Sequence, residues 1–152
     1  MYSFIKRFFD ILSSIVVLIL ICPLIIPIVI ALKFSAEGEV FYKQIRMGYK
    51  NTKFEILKFA TMLKNSSKMK GSYITVKDDY RITKIGKYLR ISKINEIPQL
   101  INIIKGDMSV VGPRPVMEVS FESYPENIQK IIYNVKPGLT GIGSIVFRDE
   151  ET

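Results

Sequence analysis

A chain of 152 residues has room for one cored domain and little more, since domains commonly run roughly 100 to 200 residues. It is 48% hydrophobic and carries 22 Lys and Arg against 14 Asp and Glu, a net charge of +8. That excludes a disordered chain and favours anionic partners such as lipid headgroups, nucleic acid or phosphorylated substrates. Histidine is absent and Cys22 is the single cysteine, which excludes imidazole acid–base catalysis, Ser-His and Cys-His triads, intrachain disulfides and thiolate zinc clusters. Chemistry must run on carboxylates, amides, amines, guanidiniums and hydroxyls, with a hard metal ion as a natural helper.

The apolar surplus is concentrated at the amino end, where residues 11–32 carry no charge. As helix this stretch reaches about 33 Å, the thickness of a bilayer core. Its apolar run is too long for a signal peptide, and Ala31 before Lys33 is a poor cleavage site. Pro23 and Pro27 lie in its second half, and each removes a backbone donor and crowds the preceding turn. Basic residues flank both ends: Lys6 and Arg7 before it, then Lys33, Lys43, Arg46, Lys50 and Lys53 after it. The tendency of basic flanks to stay in the cytoplasm admits two topologies. One is a re-entrant helix broken near Pro23, with both ends on one face; the other is a single kinked span.

After Lys33 the chain reads as a compact basic domain. Gly38–Tyr42 and Lys53–Lys58 are short apolar runs on either side of a Gly48–Thr52 turn, the pattern of a β-hairpin. Asn65–Asp79 is polar and predicts a surface loop. From Arg81, the spacing of Ile82, Ile85 and Leu89 predicts a helix whose other faces carry Arg81, Lys84, Lys87 and Arg90, either solvated or resting on anionic headgroups. Pro125–Tyr133 predicts a packing helix with Ile128, Ile131 and Ile132 on one side. Cys22 reads as a buried small hydrophobe, and Asp79 beside Arg81 as a local ion pair or cap.

The densest chemistry lies between Ser92 and Pro115. Asn95, Glu96 and Pro98 ahead of Leu100, Ile101 and Ile104 predict a helix capped by Asn95 and ended at Gly106. Glu96 would then sit at the positive end of the helix dipole, either complementing it or bordering a phosphate site. In Gly112-Pro113-Arg114-Pro115, two prolines stiffen the backbone around Arg114, presenting a planar guanidinium suited to phosphate. Asp107, after Gly106, reads either as a turn residue bonding its own backbone or as a Mg²⁺ ligand.

At these residues the sequence resembles the bacterial sugar transferase family, the monotopic phosphoglycosyl transferases. The matching blocks run in order: KRFFDIL at Lys6–Leu12, Pro23, then Gln44, Arg46 and Gly48. They continue with KFATM at Lys58–Met62, RITKIGKYLR at Arg81–Arg90, NEIPQL at Asn95–Leu100, KGDMSVVGPRP at Lys105–Pro115 and VKPGLTG at Val135–Gly141. The resemblance covers essentially the whole chain. It implies an α+β, mainly helical fold: residues 1–34 form a re-entrant membrane helix-break-helix with its break at Cys22-Pro23. Residues 35–152 form a small cytoplasmic-face catalytic domain of short strands and amphipathic interfacial helices. Family members generally continue for several dozen more residues, so this domain is expected to be short at its carboxy end.

The reaction the resemblance implies is transfer of a sugar 1-phosphate from a UDP-sugar to undecaprenyl (polyprenyl) phosphate, initiating surface glycan synthesis at the bacterial inner membrane. In the family an adjacent Asp-Glu pair works with Mg²⁺, the Asp attacking the β-phosphorus with loss of UMP. Carried over by position, the family's Glu falls on Glu96, its lysine on Lys58 and its arginines on Arg90 and Arg114. The nucleophile's place holds Asn95, and a neutral amide is a poor nucleophile. Ala60 likewise stands where relatives usually carry a basic residue. Three readings follow: Glu96 as nucleophile, direct attack by polyprenyl phosphate without an enzyme adduct, or an inactive membrane-anchored homologue that binds nucleotide-sugar or a partner transferase. Membrane lipids are expected partners and a homodimer is compatible; nucleic acid is not expected, since no reading motif or stacking array accompanies the charge.

Overall fold

The computed structural model describes residues 2–35, 38–64, 66 and 79–141, and about 54% of these are helical. The elements in chain order are α1 (Tyr2–Ser35), β1 (Phe41–Met47), a 3-10 turn (Tyr49–Asn51), β2 (Lys53–Phe59), α2 (Lys84–Ile91), a second 3-10 turn (Ile94–Glu96), α3 (Gln99–Lys105), β3 (Ser109–Val111), α4 (Glu118–Glu122), α5 (Glu126–Ile132) and β4 (Gly138–Thr140). The mixed, mainly helical class agrees with the sequence. The described chain divides into two compact units, one of residues 2–20, 43–57 and 99–141 and the other of residues 21–42 and 58–98 where described.

α1 is assigned as one helix through Pro23 and Pro27, so the break expected at Pro23 does not appear as an interruption of helical backbone. It is long and apolar enough to cross a membrane, by length and composition, and only 6% of its most apolar window is buried. Phe4, Phe8, Ile19, Leu20, Leu24, Ile26, Ile30 and Phe34 are all exposed, and Cys22 is exposed rather than buried as expected. Because the segment is apolar on every side, its periodicity could not disclose which stripe packs against protein.

In the second unit that stripe is Ile25, Ile28, Val29 and Leu32, at helical spacing. Leu32 is fully buried with Phe59 and Leu89, and Val40, Ile85, Ile94 and Ile97 surround them. Burying Leu32 contributes roughly 1.5 to 3 kcal/mol. Phe41 stacks on Phe59 at 5.6 Å between ring centroids. α2 begins at Lys84, three residues later than its apolar stripe suggested, because the Thr83 hydroxyl accepts the Gly86 N–H as an N-cap and Ile82 bridges to Met62. Gly86 lies against the Thr61 backbone so closely that a Cβ there would overlap the Thr61 carbonyl. Gly86→Ala is therefore expected to destabilise the protein by about 1 to 3 kcal/mol, read as a lowered unfolding temperature in detergent; an unchanged midpoint would contradict this packing.

In the first unit, β3 and β4 pair in parallel with Ser109 opposite Gly138 and Val111 opposite Thr140. A core of Met47, Phe121 and Tyr133, edged by Val116, Tyr124 and Ile132, belongs to the same unit. α5 falls within the Pro125–Tyr133 segment expected to be helical, but none of its residues is buried. The core residue is its C-cap, Tyr133, which is 1% exposed. Most of the polar stretch expected as a loop between Asn65 and Asp79 lies outside the described residues.

The hairpin prediction holds in part. β1 and β2 pair across the expected turn, but β1 starts at Phe41 and continues through Met47. Its polar residues Lys43, Gln44 and Arg46 disguised the second half as loop. Lys50 and Asn51 turn the chain with φ of 52° and 58°.

Candidate active site

Sequence reasoning placed Asn95 at a helix N-cap, and the structure corrects it. Lys93 adopts a left-handed conformation after α2, the chain makes a single 3-10 turn over Ile94–Glu96, and α3 begins at Gln99. Asn95 thus lies inside the turn, 9% exposed. Its Oδ1 is buried and meets no hydrogen-bond partner among the described residues. Glu96 correspondingly does not stand at the start of α3. The expected end of that helix is correct: Gly106, with φ of 104°, donates its N–H to the carbonyls of Asn102 and Ile103.

What the fold brings together is Lys58 and Glu96, 38 residues apart in sequence. Lys58 Nζ donates to Glu96 Oε1 at 2.7 Å, with side chains 20% and 16% exposed. A pair so far withdrawn from water is held by geometry more firmly than a surface ion pair. Arg90, in the same unit, donates its Nε–H to the hydroxyl of Thr61 at 2.9 Å. Thr61 is itself buried, so it fixes the guanidinium's approach. Sequence reading passed over Thr61, whose only signal was its place within the KFATM block at Lys58–Met62.

The same unit holds a second charged pair. Asp79 accepts the Nη2–H and Nε–H of Arg81 at 2.6 and 2.9 Å and also its backbone N–H. The local ion pair expected for Asp79 is present, but Arg81 is buried rather than on a solvated face. Hydrogen bonds from Arg81 outweigh burial and hold the Asp79 carboxyl at about 2, below its ordinary 3.8. A carboxylate lowered on folding stabilises the folded state above its unfolded titration range and loses that contribution as pH falls toward the folded value. Asp79→Asn is therefore expected to unfold more easily than the parent at neutral pH, with the difference closing between about pH 4 and pH 2. An equal difference at both ends in pH-dependent denaturation would contradict this.

The other two predicted residues, Arg114 and Asp107, belong to the other unit. Arg114 is exposed, on a loop held at several points. Pro113 accepts the Gly138 N–H at 2.9 Å and Gly112 donates to Thr140 at 3.0 Å. The Tyr133 hydroxyl donates to the Arg114 carbonyl at 2.8 Å and accepts the Val116 N–H at 3.0 Å. Burial raises the Tyr133 phenol above its usual range, so it remains a donor at physiological pH. Gly112 and Gly138 touch backbone to backbone, with no room for a Cβ on either. The stiffness inferred from the prolines thus has a tertiary cause as well. Asp107 is drawn into a turn: its carboxylate accepts from Asn102 Nδ2 at 3.2 Å and its N–H donates to the Asn102 carbonyl.

Among the described residues no three His, Cys, Asp or Glu side chains gather as a metal-ligand group. Mg²⁺ does not require one, being commonly held by one or two protein oxygens together with substrate phosphates. The Glu96 carboxylate, one oxygen of which accepts from Lys58, and Oδ1 of the neighbouring Asn95, which accepts no hydrogen bond among the described residues, are hard oxygen donors of the type that fits this manner of binding. The Asp107 carboxylate, bonded to Asn102, belongs to the other unit.

The Bacterial sugar transferase family model matches residues 1–152, and the chain belongs to that family. It is 36% identical to an exopolysaccharide production protein, ExoY, of Sinorhizobium fredii, over 95% of this chain and 70% of the relative. It is also 36% identical to a UDP-N-acetylgalactosamine-undecaprenyl-phosphate N-acetylgalactosaminephosphotransferase of Aeromonas hydrophila, over 95% of this chain and 34% of that protein. A UDP-glucose:undecaprenyl-phosphate glucose-1-phosphate transferase of Klebsiella pneumoniae is 39% identical over 92% of this chain and 30% of its own length. The chain therefore spans about a third of the length of these two longer relatives.

Proposed function

We propose that this protein transfers a sugar 1-phosphate from a UDP-sugar to undecaprenyl phosphate on the cytoplasmic face of the bacterial inner membrane, in the synthesis of an exopolysaccharide or related surface glycan. The observation that supports this reading is the withdrawn Lys58–Glu96 pair at 2.7 Å, the amine and carboxylate onto which the resemblance carries the family's lysine and glutamate. α1 provides the attachment: its uncovered apolar faces suit a lipid environment, and basic residues at both ends favour a re-entrant course turning near Pro23.

In this reading Lys58 and Arg90 receive phosphate oxygens and offset their charge as the β-phosphorus changes partners, and Arg114, carried over from the family pattern, is likewise a phosphate-binding residue. Mg²⁺, held by Glu96 and Asn95, would supply further charge neutralisation at the diphosphate. An oxygen of undecaprenyl phosphate bonds to the β-phosphorus of the UDP-sugar, the bond from that phosphorus to the bridging oxygen breaks, and UMP leaves with the bridging oxygen. Direct attack is favoured over an enzyme adduct by two observations. Asn95 has no carboxylate, and one oxygen of Glu96 is engaged by an ammonium, which weakens it as a nucleophile.

The test is UMP release by the full chain in membranes with undecaprenyl phosphate, Mg²⁺ and a panel of UDP-sugars. The proposal expects release with at least one sugar, dependent on the lipid phosphate. Nucleotide binding without turnover for every sugar would instead support an inactive binding homologue, the second reading with which Asn95 is compatible.

A further inference from the structure

The first turns of α1 carry a polar stripe inside an otherwise apolar helix, and all of it is engaged. Asp10 and Ser14 are 8% and 1% exposed. Asp10 Oδ2 accepts the Ser109 hydroxyl at 2.8 Å and Asp10 Oδ1 accepts the Val110 N–H at 3.2 Å. Lys6 donates to Asp10 at 3.1 Å and also bonds the Ser109 hydroxyl. One turn away, Arg7 spans the end of α3, donating to the carbonyls of Ile103 and Ile104 at 2.5 and 2.8 Å. These belong to the last turn of α3, where helix carbonyls lack the usual i+4 amide partner; the Ile103 carbonyl also accepts the Gly106 N–H.

Each of these contacts falls on chain leading directly into the Arg114 loop. α3 ends, turns at Gly106, and becomes β3, whose first two residues are the ones Asp10 holds. β3 then delivers Gly112-Pro113-Arg114-Pro115, pinned on its far side by Gly138, Thr140 and Tyr133. The loop is thus clamped at one end by β4 and Tyr133 and at the other by a carboxylate from the foot of the membrane helix. A carboxylate that accepts both a hydroxyl and a backbone N–H fixes the strand in translation and in rotation.

We propose that Asp10 is a positioning residue for Arg114: through Ser109 and Val110 it ties the seating of α1 to the placement of the phosphate-binding guanidinium. This inference rests on the transferase reading given above. A membrane anchor whose only task was attachment would need no buried acid bonded to the strand that feeds the phosphate loop.

The experiment uses the full chain in nanodiscs and combines sugar-phosphate transfer with amide hydrogen exchange over residues 109–116. Asp10→Ala is expected to lower kcat/KM by about 10- to 100-fold, as misplacement remote from the reacting atoms can do, and to speed exchange of the 109–116 amides. Asp10→Asn, which keeps one of the two acceptor oxygens and the side chain's volume, is expected to recover part of both. Ser109→Ala, which deletes a single hydroxyl, is the milder check on folding and is expected to move both readouts in the same direction by a smaller factor. In a double-mutant cycle, Asp10→Ala is expected to cost little further once Arg114→Ala is present. Losses that multiply in the double variant, or unchanged exchange in Asp10→Ala, would overturn the proposal. Absence of transfer by the parent protein with any sugar would overturn the transferase reading instead, while the exchange comparison would still decide whether Asp10 holds the loop.

Discussion

Glu96→Gln is expected to reduce sugar-phosphate transfer by at least about 100-fold, the scale on which removal of one preorganised electrostatic group acts. The change is isosteric, so the 3-10 turn over Ile94–Glu96 should persist, yet the charge facing Lys58 is gone. Lys58 would then be a largely buried ammonium without its 2.7 Å carboxylate partner, and the candidate cation site would lose its one negative ligand. Lys58→Met is expected to match it in size for the complementary reason: it removes an ammonium assigned to phosphate oxygens and leaves the Glu96 charge less neutralised against the incoming diphosphate. If Glu96→Gln kept more than about a third of parental turnover, the pair would be structural and the site would lie elsewhere.

Asn95→Asp should act in the opposite direction. The resemblance carries the family's attacking carboxylate onto position 95, and here the amide oxygen is buried and accepts no hydrogen bond among the described residues. Aspartate fits the same volume, so the substitution supplies a nucleophile with little need for repacking. Turnover is expected to rise by about 10-fold or more, within the range open to an added catalytic group. A phosphosugar adduct on the protein, which the parent should not accumulate, would become trappable by rapid acid quench and intact-mass measurement. An adduct on the parent at Glu96 would show that transfer is covalent without Asn95. A variant no faster than the parent, and without adduct, would mean that residue 95 is outside the reaction.

How far the sequence disclosed these features depends on which residues carried them. The membrane-length helix, the hairpin around Gly48–Thr52, the helix after Thr83, the helix end at Gly106 and the helix over Glu126–Ile132 all followed from apolar spacing and from Gly or Pro punctuation. Asn95 was misread as a cap because Asn before an apolar helix is a good capping signal. What defeated that signal was the left-handed turn at Lys93, which no side-chain preference announced. The Lys58–Glu96 pair could not be seen locally, since it joins the end of β2 to a turn 38 residues away; only the family pattern marked both residues. Asp10, Ser109 and Thr61 escaped because each is an ordinary polar residue whose importance comes from burial. Ala60, which the sequence marked as lost phosphate-binding charge, is buried with its N–H bonded to Val40.

The central claim is that the phosphate next to the sugar leaves the nucleotide together with the sugar and ends on lipid. It is tested most directly by incubating membranes containing the full chain with undecaprenyl phosphate, Mg²⁺ and UDP-sugars radiolabelled in the β-phosphate, then partitioning the products into organic solvent. The account predicts that, for at least one sugar, the label and the sugar enter the lipid phase together while unlabelled UMP remains in water. Label left in water as UDP, with sugar alone on the lipid, would contradict it, as would no lipid-phase label from any sugar.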